Sequence, residues 1–235
     1  MRNIMPIVIG VVIAGGAGIA LYNAVGDNEP KRAPQAAIAA PAPDAATQIA
    51  AAPKPAASLS DVPVSDDDFI LGKKDAPVTI VEYASLTCPH CAQFHTAVLP
   101  TIKKDYIEKG LVRLVYRDFP LDRYALTAAV VSRCAGRERF FAFVDTIFST
   151  LPKWRSESNP MTGLSRIARL GGMSQDEFNA CLKNEDIAKK VLDGRLQADK
   201  TYGIRATPTL IVNGDLFSGG LTLGQLRAVI DAKLK

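Results

Sequence analysis

The chain has 235 residues, 48% of them hydrophobic, and a formal charge of +4. That length supports one good core, or one domain with an insertion. The positive charge is spread out, with no dense Lys/Arg run and no aromatic ladder, so nucleic-acid binding has no support.

Ile4 to Val25 is a stretch of about 22 residues without a charge, roughly 33 Å as a helix and long enough to cross a bilayer's hydrocarbon. Arg2 precedes it; Asp27 and Glu29 follow. That order suits an N-terminus left in the cytoplasm with the rest of the chain exported. Residues 1–26 therefore read either as a membrane anchor or as a cleaved signal peptide. The one fair small-x-small site, Gly18-Ile19-Ala20, lies inside the apolar run. Residues 27–63 are rich in Ala and Pro with no helical or coiled-coil period, the composition of a disordered, semi-extended linker. Its reach is up to ~100 Å at ~3 Å per residue. Four cysteines in an exported chain point to an oxidising compartment, and three pairings are open to them.

Folded sequence begins near Asp61 or Asp66. Phe69-Ile70-Leu71-Gly72 reads as a short strand closed by a turn. Val78 to Ala84 is nearly continuous apolar and β-branched, as in a central strand covered on both faces, with Glu82 interrupting it. A helix is expected from Pro89 to about Lys109, with Phe94, Val98, Ile102 and Tyr106 as its apolar stripe. Pro100 should kink it, because it leaves the Thr96 carbonyl without a partner. His95 is expected on the surface of this helix.

Leu111 to Arg117 reads as a second strand ending at Phe119-Pro120, which completes a right-handed βαβ unit. A helical block follows. Asp122 can cap a helix to about Gly136, and Arg139 to Leu151 carries Phe140, Phe143, Ile147 and Phe148. Pro152 to Pro160 reads as a polar loop holding the only Trp, and Gly163 to Leu170 as a helix. Ser174-Gln175-Asp176-Glu177 is a capping box opening a further helix, and Glu185 to Tyr202 is the last of the block. Thr209 to Val212, the turn Asn213-Gly214 and Leu216 to Ser218 signal a hairpin. Thr222 to Lys235 reads as a terminal helix.

Between the first long strand and its helix stands Thr87-Cys88-Pro89-His90-Cys91. A thiol at the first turn of a helix faces unpaired amides and the positive end of the helix dipole. Both favour thiolate, which makes the cysteine a better leaving group and its disulfide a stronger oxidant. Pro89 suits the first helical position, where no amide is missed. A zinc site would need four ligands, and Cys134 and Cys181 form no second knuckle; no metal site is expected. Haem attachment would need His at position 92, which is Ala.

Cys-Pro-His-Cys at a helix start, the βαβ…ββα frame, and Ala206-Thr207-Pro208-Thr209 before the hairpin together resemble a thioredoxin fold of the DsbA type. The resemblance covers about Asp66 to Lys235. It implies an α/β fold: a thioredoxin-like domain from 64–121 and 203–235, with an inserted all-helical domain at 122–202. It also implies a bacterial thiol:disulfide oxidoreductase of the periplasm, tethered to the inner membrane if residues 4–25 stay uncleaved.

Within that resemblance Cys88 is the attacking or attacked sulfur and Cys91 the buried resolving thiol. His90 can donate a hydrogen bond or carry positive charge near the Cys88 thiolate; the plainer account makes it a surface residue. Pro208 is implied to be cis, freeing the amide and carbonyl of Thr207 to pair with an extended substrate. Glu82 matches a buried acid that could relay the proton of Cys91, and a structural pairing with Lys or water competes with that role. Cys134 and Cys181 lie on apolar helix faces and are expected to form a second, non-catalytic disulfide rather than stay as buried thiols.

The expected activity is disulfide donation to reduced exported proteins, with no cofactor beyond the Cys88–Cys91 pair and with reoxidation by a membrane-embedded partner. A monomer is expected. An isomerase or reductase of the same fold, and a Cu(I)-binding module using Cys88 and Cys91, are the alternatives. The linker lacks the heptads an oligomeric isomerase would need, and no Met-rich cluster supports copper.

Overall fold

Val78–Ala84, β3, is the strand on which the rest of the sheet is laid, and all of it but Thr79 is buried. The computed structural model describes residues 57–59 and 62–235. The expected anchor or signal at 1–26, and the linker before residue 57, lie outside the described residues.

The other strands are β1 (Ala57–Ser58), β2 (Phe69–Leu71), β4 (Val112–Asp118), β5 (Thr209–Val212) and β6 (Asp215–Ser218). They join in the order β1-β6-β5-β3-β4-β2. The β3–β4 pair is parallel, in register Glu82 to Tyr116, and every other pair is antiparallel. Asn213 and Gly214 both take positive φ, 42° and 89°, as a two-residue hairpin turn requires. β1 comes from the stretch whose composition suggests a linker. Ala57 and Ser58 pair with Leu216 and Asp215 and cover the edge that β6 would otherwise present.

The helix after β3 runs as α1 (Pro89–Gln93), a π turn (Phe94–Val98), α2 (Leu99–Ile102) and a second π turn (Lys103–Ile107). Pro100 stands at the start of α2, directly after the first π turn. Leu99 N–H donates to the Phe94 carbonyl, five residues back, and the widened turn accommodates the ring.

Six helices separate β4 from β5: α3 (Arg123–Cys134), α4 (Phe140–Ser149), α5 (Leu151–Arg155), α6 (Pro160–Leu170), α7 (Gln175–Leu182) and α8 (Glu185–Tyr202). Asp122 caps α3 by accepting from the amides of Tyr124 and Ala125, and Ser174 with Glu177 forms the expected box on α7. The region from Pro152 to Pro160 departs from the polar loop expected of it. Leu151–Arg155 is helical, and Trp154 is 2% exposed, its indole N–H donating to the Ile147 carbonyl at 2.9 Å. Its polar neighbours in sequence hide that it anchors the insertion's core. α9 (Leu223–Lys233) closes the chain with a capping box of its own, Thr222 with Gln225.

Alternation along the strands sorts the core into two faces. Val78 and Ile80 of β3 and Leu114 of β4 pack under Phe94 and Ile102 of the long helix and Leu226 of α9. Val81 and Val115 face the other way, against Ala198 of α8 and Ile204. The insertion's own core, centred on Phe140, Val144 and Phe148, is continuous with Cys88, Cys91 and Tyr116. The cysteine pair therefore lies where the sheet domain meets the helical insertion.

Candidate active site

The loop from Ser85 to Cys88 turns the end of β3 into α1. Cys88 is extended and caps the helix, its amide donating to the Ser85 carbonyl at 2.9 Å and its carbonyl accepting from Ala92 N–H at 3.0 Å. Pro89 is the first helical residue, as expected. Thr87 donates its hydroxyl to Asp122 at 2.9 Å, the same carboxylate that caps α3. One side chain thus fixes both the active loop and the entry to the insertion. Sequence reasoning found the cap but not this tie, which joins residues 35 apart.

Both cysteines are free thiols in this structure. Cys88 is 6% exposed and Cys91 fully buried, so only the first offers its sulfur to a partner. The Cys91 thiol donates to the Cys88 sulfur. Despite the cost of burial, the Thr207 side chain and the amides of Cys91 and His90 add to that bond and lower the Cys88 pKa to about 5. Cys91 moves the opposite way. Burial pushes its thiol far above the ordinary range, helped by its hydrogen bond to Cys88 and by the charge of Glu82. One thiol is poised as an anion and the other holds its proton.

The His90 side chain is exposed and makes no hydrogen bond to the described residues; what it gives Cys88 is its backbone amide. Thr207 and Pro208 come 119 and 120 residues after Cys88 yet lie beside it, and their peptide bond is cis. The Thr207 carbonyl accepts from the Cys88 thiol at 3.4 Å. That carbonyl is thus engaged while Cys88 is a thiol, and is released when the sulfur ionises or is joined to a substrate. The Thr207 hydroxyl is buried beside it without a hydrogen-bond partner among the described residues.

Glu82 is fully buried, and its side-chain partner among the described residues is His95, with Oε2 and Nε2 2.9 Å apart. His95 accordingly corrects its expected place on the helix surface: its side chain is 1% exposed. It follows Cys91 by four residues, so it shares the buried face of the helix, and that spacing is the signal that could have found it. Phe148 from α4 lies over its ring at 4.4 Å, and Asp145 Oδ1 stands 3.5 Å from its Nδ1. Burial alone would discharge the imidazole; the Glu82 charge, with Asp145, outweighs it and holds the pKa at about 9.

Cys134 and Cys181 are joined by a disulfide in the structure, tying α3 to α7. No group of His, Cys, Asp or Glu among the described residues could hold a metal ion.

A family model described as Thioredoxin matches residues 65–232. Among solved structures, that of α-DsbA1 from Wolbachia pipientis is 34% identical, with a TM-score of 0.69, covering 74% of this chain and 93% of that one. Oxidised BdbD from Bacillus subtilis gives 26% identity and a TM-score of 0.67, covering 76% and 98%. A Rickettsia bellii protein provisionally named a protein-disulfide oxidoreductase is 30% identical over 73% of this chain. The chain spans 66% of that relative's length and 62% of the similar protein from Rickettsia conorii. With the site assembled and the family model matching residues 65–232, the chain belongs to the thioredoxin family, in its DsbA-type branch.

Proposed function

We propose that this protein introduces disulfide bonds into reduced exported proteins through the Cys88–Cys91 pair. The observation that carries the reading is the unequal poise of the two sulfurs. Cys88 is hydrogen-bonded at a helix start with its pKa near 5, while Cys91 beneath it is held protonated. In the oxidised protein a substrate thiolate attacks Cys88 Sγ and expels Cys91. A second substrate thiol then attacks the substrate sulfur of the mixed disulfide, and Cys88 leaves as the stabilised thiolate.

Pro89 starts the helix that stabilises that thiolate, and the exposed His90 can add positive charge when protonated. Thr207 and Pro208 serve as the backbone platform on which an extended substrate pairs. Glu82 exchanges the proton of Cys91, and the Cys134–Cys181 bridge stiffens the insertion. The pair itself is the redox group, with no metal or other cofactor. Reoxidation falls to a membrane-embedded partner, and the protein works as a monomer in the periplasm, delivered by residues 1–26 and spaced by the linker.

The test is stoichiometric oxidation of a reduced model protein by the oxidised form, read as loss of free thiols. One disulfide should be donated per molecule, with none from Cys88→Ser. Donation that persists in Cys88→Ser would overturn the proposal.

A further inference from the structure

The helical insertion contributes an acid to a buried chain that starts under Cys91. Glu82 Oε2 bonds His95 Nε2 at 2.9 Å, and Asp145 Oδ1 lies at an ion-pair separation of 3.5 Å from the buried Nδ1, which makes no hydrogen bond to the described residues. The first two side chains are at most 1% exposed, whereas Asp145 is 60% exposed. Glu82 Oε1 is buried without a hydrogen-bond partner among the described residues, and the carboxylate acts electrostatically on Cys91. A lone buried His–Glu pair could be purely structural. A third group reaching solvent at the far end, on a different element, makes the line a route.

We propose that His95 and Asp145 form the outer half of a proton path, joining Glu82 to solvent on the insertion side of the molecule rather than at the mouth beside Cys88. This rests on the thiol-exchange reading, with Glu82 as the group that exchanges a proton with Cys91. When a thiolate bonds to Cys88 Sγ, the Cys88–Cys91 bond breaks and its electron pair leaves on Cys91 Sγ. Through Glu82 that sulfur takes the proton on His95 Nε2, which leaves Glu82 a carboxylate and His95 a neutral imidazole with its proton on Nδ1. The ring becomes an imidazolium again with a proton drawn from water on the Asp145 side. When Cys91 instead attacks Cys88 of the mixed disulfide and releases the thiol, each transfer reverses.

The groups around the imidazole are Glu82 from β3, Tyr116 from β4, and Asp145 with Phe148 from α4. The Tyr116 hydroxyl is buried and unbonded, with the charges of Asp118 and Arg133 acting on it. No lysine or arginine bonds His95 or Glu82 among the described residues, so the imidazole is the cation of this pocket.

The experiment mixes the oxidised protein with reduced glutathione and follows the mixed disulfide at Cys88 by quenched flow and mass spectrometry. Rates are divided by thiolate concentration and taken from below the ordinary imidazole value of 6.5 to above the buried one of about 9. The wild-type rate should be level and then fall above about 9, as His95 loses its proton. His95→Gln should be at least about tenfold slower, the lower end of what a lost proton-transfer group costs, with no break near 9. Asp145 is exposed, so Asp145→Asn leaves the fold intact; it should slow the step by a smaller factor, and Asp145→Glu should restore it.

Wild-type rates and profiles in both His95→Gln and Asp145→Asn would overturn the path. A slow His95→Gln with a normal Asp145→Asn would overturn the exit through the insertion. Should His95→Gln fail to fold, the Asp145 pair decides alone. A wild-type protein that forms no mixed disulfide would instead overturn the exchange reading itself, and this route with it.

Discussion

The sulfur of Cys88 lies 3.4 Å from the carbonyl oxygen of Thr207, the residue joined to Pro208 by a cis bond. The two come from opposite ends of the thioredoxin-like part of the chain, and their meeting places backbone for a substrate beside the reactive sulfur. The Thr207 side chain also favours the thiolate. Thr207→Val keeps the shape and removes the hydroxyl. The Cys88 pKa should rise from about 5 toward the ordinary thiol value, read as thiolate ultraviolet absorbance against pH. An unchanged titration would remove Thr207 from the set of groups that tune Cys88.

Ionisation of Cys88 also links stability to pH in the reduced protein. Its pKa is depressed on folding from about 9 to about 5. The stabilisation is therefore fully present above about 9, shrinks as pH falls, and is gone below about 5. The oxidised form has no such thiolate. Urea unfolding of both forms should show the reduced protein's advantage at neutral pH narrowing as pH approaches 5. An advantage that widens on acidification would contradict the assignment.

His95 has the opposite sign. Its pKa is raised from 6.5 to about 9, so its contribution is fully present below 6.5 and lost as pH rises through about 9. His95→Gln should lose stability chiefly below that window and differ little from wild type above it. Equal loss at both ends would mean the imidazole acts there only by its volume.

Trp154 tests the insertion's core. Truncation to Ala removes a side chain that is 2% exposed along with its hydrogen bond to Ile147, and should cost about 3–5 kcal/mol. Thermal unfolding would register this as a fall of roughly 10 °C. A loss under about 1 kcal/mol would place Trp154 outside the packed core.

The bridge between Cys134 and Cys181 closes a separation of 47 residues. Replacing both by Ala should lower stability by about 2–4 kcal/mol through the freer unfolded chain. Mass spectrometry under non-reducing conditions should find the two joined in the native protein.

What could be read from the chain alone was local. The Asn213-Gly214 turn, the Ser174–Glu177 box, the Asp122 cap and the placement of Cys88 at a helix start all depend on residues within a few positions of one another. Trp154 was misplaced because its neighbours Lys153, Arg155 and Ser156 are polar, and His95 because an imidazole reads as a surface group, while Phe148, which lies over its ring, comes from another element. The Thr87–Asp122 tie and the pairing of Ala57–Ser58 with β6 are invisible for the same reason. Glu82 stood out as a carboxylate in an apolar strand, and its partner became visible only when the helix was folded back over β3.

The most direct measurement is the pH titration of Cys88 in the reduced protein, by rate of alkylation with iodoacetamide. A midpoint near 5 is expected, because the Cys91 thiol and the helix-start amides hold the sulfur as an anion. A midpoint near the free-thiol value of about 8.5 would contradict it, for the disulfide would then have no reason to be a strong oxidant.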